Sequence, residues 1–188
     1  MGSPSTVDRR CSLRRQWFRP APLIGENDRV DIVATLQAPI GALQLFEVVA
    51  DLSTYPRWLD IVSRSERAPA DAGDPGPAWS IELRAQLGPL RRSKRLRMVR
   101  SRTERPDRVR FERRELDGRR HSSWVLEADL TGTARPSVNA SAPETELAMR
   151  LHYGGSLWLP VLDRVLRDEI ARSRPRLLEM ARSGPEPS

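Results

Sequence analysis

The sequence has few of the residues that build covalently stapled or metal-held domains. It contains one cysteine, Cys11, so neither an intrachain disulfide nor a cysteine-based zinc site can form. It has only two histidines, His121 and His152, and neither has a serine or cysteine at a spacing that indicates a hydrolytic triad. Two histidines without carboxylates also cannot supply a usual three-ligand zinc site. These absences exclude disulfide-rich secreted domains and favour a reducing compartment.

Long hydrophobic runs are missing as well. No stretch reaches the roughly 18 apolar residues of a transmembrane helix, and residues 1–27 lack the continuous apolar segment of a secretory signal. We therefore expect a disordered leader over 1–27, one domain over 28–182 and a disordered tail over 183–188. A cytoplasmic location follows as the expectation.

Lysine is nearly absent, because Lys94 is the only one among 32 basic residues. Both lysine and arginine neutralise phosphate, so near-total use of arginine reflects codon bias in a GC-rich genome better than selection for nucleic-acid binding. The 25 acidic residues leave a net charge of +7, and most of the charge is mixed in sign.

Apolar and polar residues alternate along most of the chain, which predicts strands with one buried face. The pattern covers residues 28–37 and 61–67 and returns repeatedly between Trp79 and Tyr153, with a hairpin signal at Asp117-Gly118. Between the first two strands, residues 40–51 carry a helical stripe. Ser53 then occupies the position of an N-cap for a second short helix.

The period changes to 3.6 over residues 157–182, which predicts a long amphipathic helix whose apolar stripe includes Leu162 and Val165. Pro175 is expected to kink or weaken it. The order is therefore one strand, two short helices, about six strands and one long helix. This order indicates an α+β fold in which the helix covers one face of an antiparallel sheet.

The segment ADLSTYPRWLDIV follows the first predicted helix, and its Ala50, Asp51, Tyr55, Pro56 and Trp58 match an Ala-Asp-x-x-x-Tyr-Pro-x-Trp-like pattern. With the closing helix, it resembles the START-like superfamily, also called SRPBCC or helix-grip, over residues 28–182. The nearest groups are the polyketide cyclases/dehydrases and the coenzyme-Q-binding-like proteins.

The resemblance implies a sheet of about six or seven strands wrapped around the C-terminal helix, with two short helices after the first strand. It also implies an apolar cavity between sheet and helix that holds a lipid, polyketide, quinone or hormone. Most members bind such molecules and a minority catalyse cyclisation or dehydration. No cofactor or metal is general to them, so we expect none.

Candidate ligand-binding residues are the loop aromatics, the inward side chains of the strands and the helical stripe. They are Tyr55, Trp58, Trp79, Met98, Arg100, Phe111, Arg113, Trp124, Met149, Tyr153, Leu162 and Val165. Packing of an ordinary core explains the apolar members better than contact with a ligand does. Arg100, Arg113 and Glu115 either orient a polar group of a ligand or reach out to water.

Three functions stay open. The leading one is binding of a hydrophobic small molecule. The second is a polyketide cyclase/aromatase or dehydrase, for which Arg100, Arg113, Glu115 and Tyr153 are the candidate residues. The third is a partner-binding module that presents an arginine-rich outer sheet face to RNA, an anionic membrane or an acidic protein, through Arg95, Arg97, Arg108, Arg110 and Arg114. We favour a solvated face over this last role, because no aromatic residues are interleaved there.

Overall fold

A computed structural model describes residues 30–87, 90–133, 143–154 and 159–184, and of residues 30, 85–87, 90–92, 133 and 159–167 it describes the backbone alone. Its elements, in chain order, are β1 (Val30–Ala38), α1 (Ala42–Val49), a 3-10 helix (Leu52–Arg57), β2 (Val62–Ala68), β3 (Ala78–Leu87), β4 (Leu90–Glu104), β5 (Arg108–Arg113), β6 (Trp124–Thr133), β7 (Glu144–Tyr153) and α2 (Leu159–Ser183). In these parts of the chain, no helix is both long enough and apolar enough to span a membrane.

The seven strands form one antiparallel sheet in the order β1-β7-β6-β5-β4-β3-β2. Each strand from β2 to β6 pairs with the next one along the chain, while β7 pairs with β1. Inward side chains of the sheet, α1 and α2 share one hydrophobic core. The predicted α+β helix-grip fold is confirmed.

The long helix α2 lies over β1 and contacts α1. Its helical backbone continues past Pro175, whose ring is exposed. The missing N–H of this proline therefore does not end the helix.

The second short helix begins differently from the prediction. Its N-cap is Asp51, whose carboxylate accepts hydrogen bonds from the Ser53 N–H at 3.0 Å and from the Ser53 hydroxyl. Ser53 lies inside the helix and is not its cap. The physical reason is that Asp51 is extended and carries an acceptor in reach of the first free N–H groups.

The segment between α1 and β2, residues 50–61, is called the connector below. The Asp51 carboxylate also holds this connector to the sheet. It accepts a hydrogen bond from the indole Nε1 of Trp79 on β3 at 3.0 Å. It also forms an ion pair with Arg67 on β2 at 3.2 Å. The Arg67 guanidinium lies 4.3 Å from the centroid of the Trp79 ring, so the two donors stack on each other. Burial raises the pKa of Asp51, but the Ser53 hydrogen bonds, the Arg67 charge and the Trp79 hydrogen bond outweigh it and hold the pKa below its ordinary value.

Tyr55 and Trp58 form the buried side of the connector. The Tyr55 hydroxyl donates to the carbonyl oxygen of Val49 at 3.0 Å and so satisfies a carbonyl at the C-terminal end of α1. The two rings are 4.6 Å apart between centroids, and both residues are 2% exposed. The connector therefore has a buried aromatic underside and a polar anchor on its outer side.

A close backbone approach at Gly76 provides a first prediction. A Cβ at this position would lie 2.6 Å from the carbonyl oxygen of Arg100, which belongs to the backbone of β4 and cannot swing away. We expect Gly76→Ala to lower the free energy of unfolding by about 1–3 kcal/mol, as overpacking does. Denaturant titration of both proteins measures this difference.

Gly73→Ala is the matched control in the same loop, because its added Cβ would meet nothing nearer than the Asp71 carboxylate at 3.5 Å. Its unfolding curve should overlay that of the parent. Equal stability of the Gly76 and Gly73 variants would contradict the close approach.

Asp51→Asn provides a second prediction. The folded-state pKa of Asp51 lies below its unfolded value of about 3.9, so its ionised form stabilises the fold above that pH. This stabilisation is lost as the pH falls through the folded pKa. We expect the variant to be less stable at pH 7 by about 1–2 kcal/mol, after allowance for solvent screening, and the gap to close towards pH 2.

Urea titrations from pH 7 to pH 2 measure this convergence. Glu179→Gln serves as a control, because it removes the charge of an exposed carboxylate on α2. A gap between parent and Asp51→Asn that stays constant across the whole pH range would rule out the electrostatic role of Asp51.

Candidate functional site

A cavity lies between the concave face of the sheet, the 3-10 helix and the second half of α2. The empty space in the cavity and at its mouth, open solvent included, is about 950 Å³. The sheet supplies a wall of inward side chains that includes Ile81, Leu96, Met98, Leu126, Leu147 and Met149. The 3-10 helix and its C-terminal flank contribute Leu52, Tyr55, Trp58 and Leu59, and α2 contributes Ile170 and Leu177. The walls are therefore almost wholly apolar.

The few polar groups in the lining are mostly occupied by the fold itself. The Tyr55 hydroxyl donates to Val49, and the Ser173 hydroxyl donates to the Ile170 carbonyl at 2.8 Å. Arg174 donates from Nη2 to the Thr35 carbonyl at 2.7 Å and so links α2 to the edge strand β1. No carboxylate, histidine or cysteine is among the described residues that line the cavity.

The structure distributes the predicted site residues over several places. Five of them line the cavity, namely Tyr55, Trp58, Met98, Trp124 and Met149. That these residues bind a ligand remains a prediction. The side chains of Leu162 and Val165 lie outside the described part of the protein.

Trp79 and Phe111 are fully buried beside the cavity and do not line it. Their rings meet edge to face with centroids 5.6 Å apart, and the hydrogen bond to Asp51 draws Trp79 towards the connector. Tyr153 packs on Trp124, with centroids 4.8 Å apart, next to a ring that lines the cavity. These positions fit packing of the core better than contact with a ligand.

Arg100 and Arg113 also do not line the cavity, although their strand phase predicts it. Arg100 donates from Nη1 to the Ala50 carbonyl at 3.3 Å; burial, and secondarily the nearby charge of Arg67, lower the pKa of Arg100. Arg113 forms an ion pair with Glu115 at 2.6 Å, where the chain leaves β5. Both guanidinium groups are bound to oxygen atoms of the fold.

The two histidines bind neighbouring carboxylates away from the cavity. His121 Nε2 lies 2.9 Å from Asp117, and His152 Nδ1 lies 2.7 Å from Asp31 on the outer face, where the strand phase places it. Over the described ranges, no group of three histidine, cysteine, aspartate or glutamate side chains is arranged to hold a metal ion.

The arginine-rich outer face is paired with acidic side chains. Arg95 contacts Glu82, Arg108 contacts Asp129, and Arg110 contacts both Glu112 and Glu127. Arg97 differs from the expectation of a solvated side chain, since it is 8% exposed and binds Asp74 and the Pro69 carbonyl. The loop between β2 and β3 folds over this part of the outer face and buries it, which strand phase cannot predict.

Lys94 is a residue that the sequence analysis left out of the candidate site. It lies on β4 two residues before Leu96, so the same alternation that identified Met98 places it on the concave side. Its Nζ lies 5.3 Å from the centroid of the Trp124 ring and 5.0 Å from that of Tyr153. The alternation of inward and outward side chains along β4 could therefore have identified Lys94 as a candidate residue.

Solved structures of low sequence identity share this fold. A Deinococcus radiodurans protein is 20% identical, with a TM-score of 0.53 over 80% of this chain and 100% of its own. A Chromobacterium violaceum protein is 12% identical, with a TM-score of 0.51 over 83% and 98%. A START superfamily protein from Mycobacterium smegmatis is 10% identical, with a TM-score of 0.55 over 81% and 97%.

A search of curated proteins finds no match. The family model described as "Polyketide cyclase / dehydrase and lipid transport" matches residues 38–174, from the end of β1 to the second half of α2. This span contains the connector, six of the seven strands and most of the cavity wall. The chain therefore belongs to the polyketide cyclase/dehydrase and lipid transport family of the START-like (SRPBCC) superfamily.

Proposed function

We propose that this protein binds a hydrophobic small molecule, a lipid, polyketide or quinone, in the cavity between the sheet and α2. The observation that carries the proposal is the apolar cavity whose described lining lacks acidic groups. Cavities with apolar walls and few polar groups suit apolar ligands. A cytoplasmic location is part of the same proposal.

The lining supports binding of ligands of loosely defined shape. Met98 on β4 and Met149 on β7 both line the cavity, and their unbranched side chains adapt to different contours. Apolar ligand surface gains roughly 25 cal/mol for each Å² removed from water. Because the polar atoms of Tyr55 and Ser173 are already hydrogen-bonded, an apolar ligand would leave none of them unsatisfied.

Ala34 and Leu36 on β1, together with Ile170 and Arg174 on α2, are partly exposed and line the cavity. We infer that a ligand enters between these two elements. β1 is an edge strand, so only one of its long sides is held by the sheet. Small separations of β1 from α2 would then widen the mouth without breaking the rest of the sheet.

A cyclase, aromatase or dehydrase is the second candidate, and the geometry favours it less. General acid–base chemistry needs an ionisable group within hydrogen-bond reach of the ligand. Burial raises the pKa of Tyr55, the only tyrosine in the lining, and keeps its hydroxyl neutral. The earlier candidates Arg113 and Glu115 bind each other outside the lining.

The partner-binding alternative also receives less support. The outer arginines are interleaved with Glu82, Glu112, Glu127 and Asp129, so the face is mixed in sign. RNA and anionic membranes attract surfaces of one sign. We therefore assign recognition to the interior of the fold.

Filling the cavity tests the proposed function. Ala34 lines the cavity, whereas its neighbour Val33 on β1 is 51% exposed on the opposite face. We expect Ala34→Phe to weaken binding of the neutral fluorescent probe N-phenyl-1-naphthylamine at least tenfold, which corresponds to about 1.4 kcal/mol, because the added ring occupies ligand space. Val33→Phe should leave the probe affinity unchanged.

Fluorescence titration of the two variants and the parent gives the comparison, with thermal unfolding as a check on folding. Absence of saturable probe binding to the folded parent would overturn the proposed function. Equal loss of affinity in both variants would show that the probe binds elsewhere.

A further inference from the structure

Among the side chains that the structure describes, Lys94 is a cation on the concave side of the sheet that the fold does not pair with an oxygen. Lys94 lies on β4 in line with Leu96 and Met98, two residues of the cavity wall. It is half-buried, and it is the only lysine of the chain. Its position at this strand face brings a positive charge to the border of an apolar space.

The Lys94 ammonium group is held by two aromatic rings. Its Nζ lies 5.3 Å from the centroid of Trp124 and 5.0 Å from that of Tyr153, within the range of cation–π attraction. The two rings lie 4.8 Å apart and are tilted by 56° to each other. Trp124 is shared, because its ring also lines the cavity. The rings therefore fix the ammonium group beside the ligand space.

The neighbouring arginines show what is different about Lys94. Arg67 binds the Asp51 carboxylate, Arg100 donates to the Ala50 carbonyl, and Arg113 binds Glu115. No hydrogen bond or ion pair joins Lys94 Nζ to any residue that the structure describes. Its three N–H donors remain available for an oxygen that comes from outside the fold.

From this placement we infer that Lys94 anchors the head group of the ligand, and that the ligand is an amphipathic anion with an apolar body. This rests on the proposed function. The proposal commits to a carboxylate, since one ammonium group matches its single negative charge. The apolar body would extend from Trp124 along Leu96 and Met98.

A pair of ligands that differ only at the head group tests the assignment. Decanoate and decan-1-ol have the same carbon chain, and both can be measured by displacement of N-phenyl-1-naphthylamine, which is neutral. We expect decanoate to bind the parent protein more tightly than decan-1-ol. In Lys94→Met, which keeps length and apolar contacts, decanoate affinity should fall about tenfold and decan-1-ol affinity should stay constant.

Two further variants separate a local contact from a general charge effect. Lys94→Arg keeps the positive charge and should retain most of the decanoate affinity. Arg95→Met removes a charge from the adjacent position on the outer face, where the arginine side chain is 76% exposed, and should not change decanoate binding.

The outcomes distinguish the two proposals. If Lys94→Met binds decanoate as tightly as the parent while the probe and decan-1-ol still bind, the anchor is wrong and the proposed function stands. If Lys94→Met weakens both ligands equally, Lys94 is structural and the anchor is also wrong. If the probe binds the parent but neither ligand displaces it, the anchor is wrong and the proposed function stands. If the probe does not bind, both proposals fall.

Discussion

The ionised carboxylate of Asp51 is the contact on which the arrangement of this protein depends. It lies between α1 and the 3-10 helix and reaches both the helical N–H groups and the sheet, through Ser53, Trp79 and Arg67. These are charge-assisted contacts, which are stronger than neutral ones when partly shielded from water. Because the contacts of Asp51 hold the connector to β2 and β3, they fix where Tyr55 and Trp58 meet the concave face. The connector, which covers the cavity, is thus held to the sheet from its outer side.

That outer anchor explains how the interior can remain open. If the connector were held only by apolar contacts with the sheet, the side chains of the connector would have to fill the space between the two, since well-packed interiors leave few voids. Here the Tyr55 hydroxyl and the Asp51 carboxylate bind polar groups of the fold, and the rings of Tyr55 and Trp58 need contact the sheet on one side only. The cavity is therefore compatible with a stable fold, and its empty volume is open to a ligand.

The sequence predicted the parts of this arrangement that depend on local pattern. Alternation identified the strands and the inward faces of Met98, Trp124 and Met149, because side chains along a strand alternate strictly between its two faces. The same rule did not show which inward residues reach the cavity. Trp79 and Phe111 are inward but lie behind it, since a cavity occupies only part of a curved face. Contacts between distant segments were beyond the pattern, as with the loop that covers Arg97 and the pairing of β1 with β7.

The distribution of charge over the two faces of the sheet separates structural from recognition roles. On the outer face, arginines and carboxylates of neighbouring strands meet, and such exposed pairs contribute little to stability. Their effect is to cancel the positive charge locally, so the described part of this outer face is mixed in sign although the chain has a net charge of +7. On the concave face the described cavity lining has no carboxylate to cancel a cation, and Lys94 is placed at its border. A positive charge is costly to leave unpaired beside an apolar space, and a ligand that carries the opposite charge removes that cost on binding. The outer arginines are therefore neutralised within the fold, whereas the inner lysine is available to a ligand.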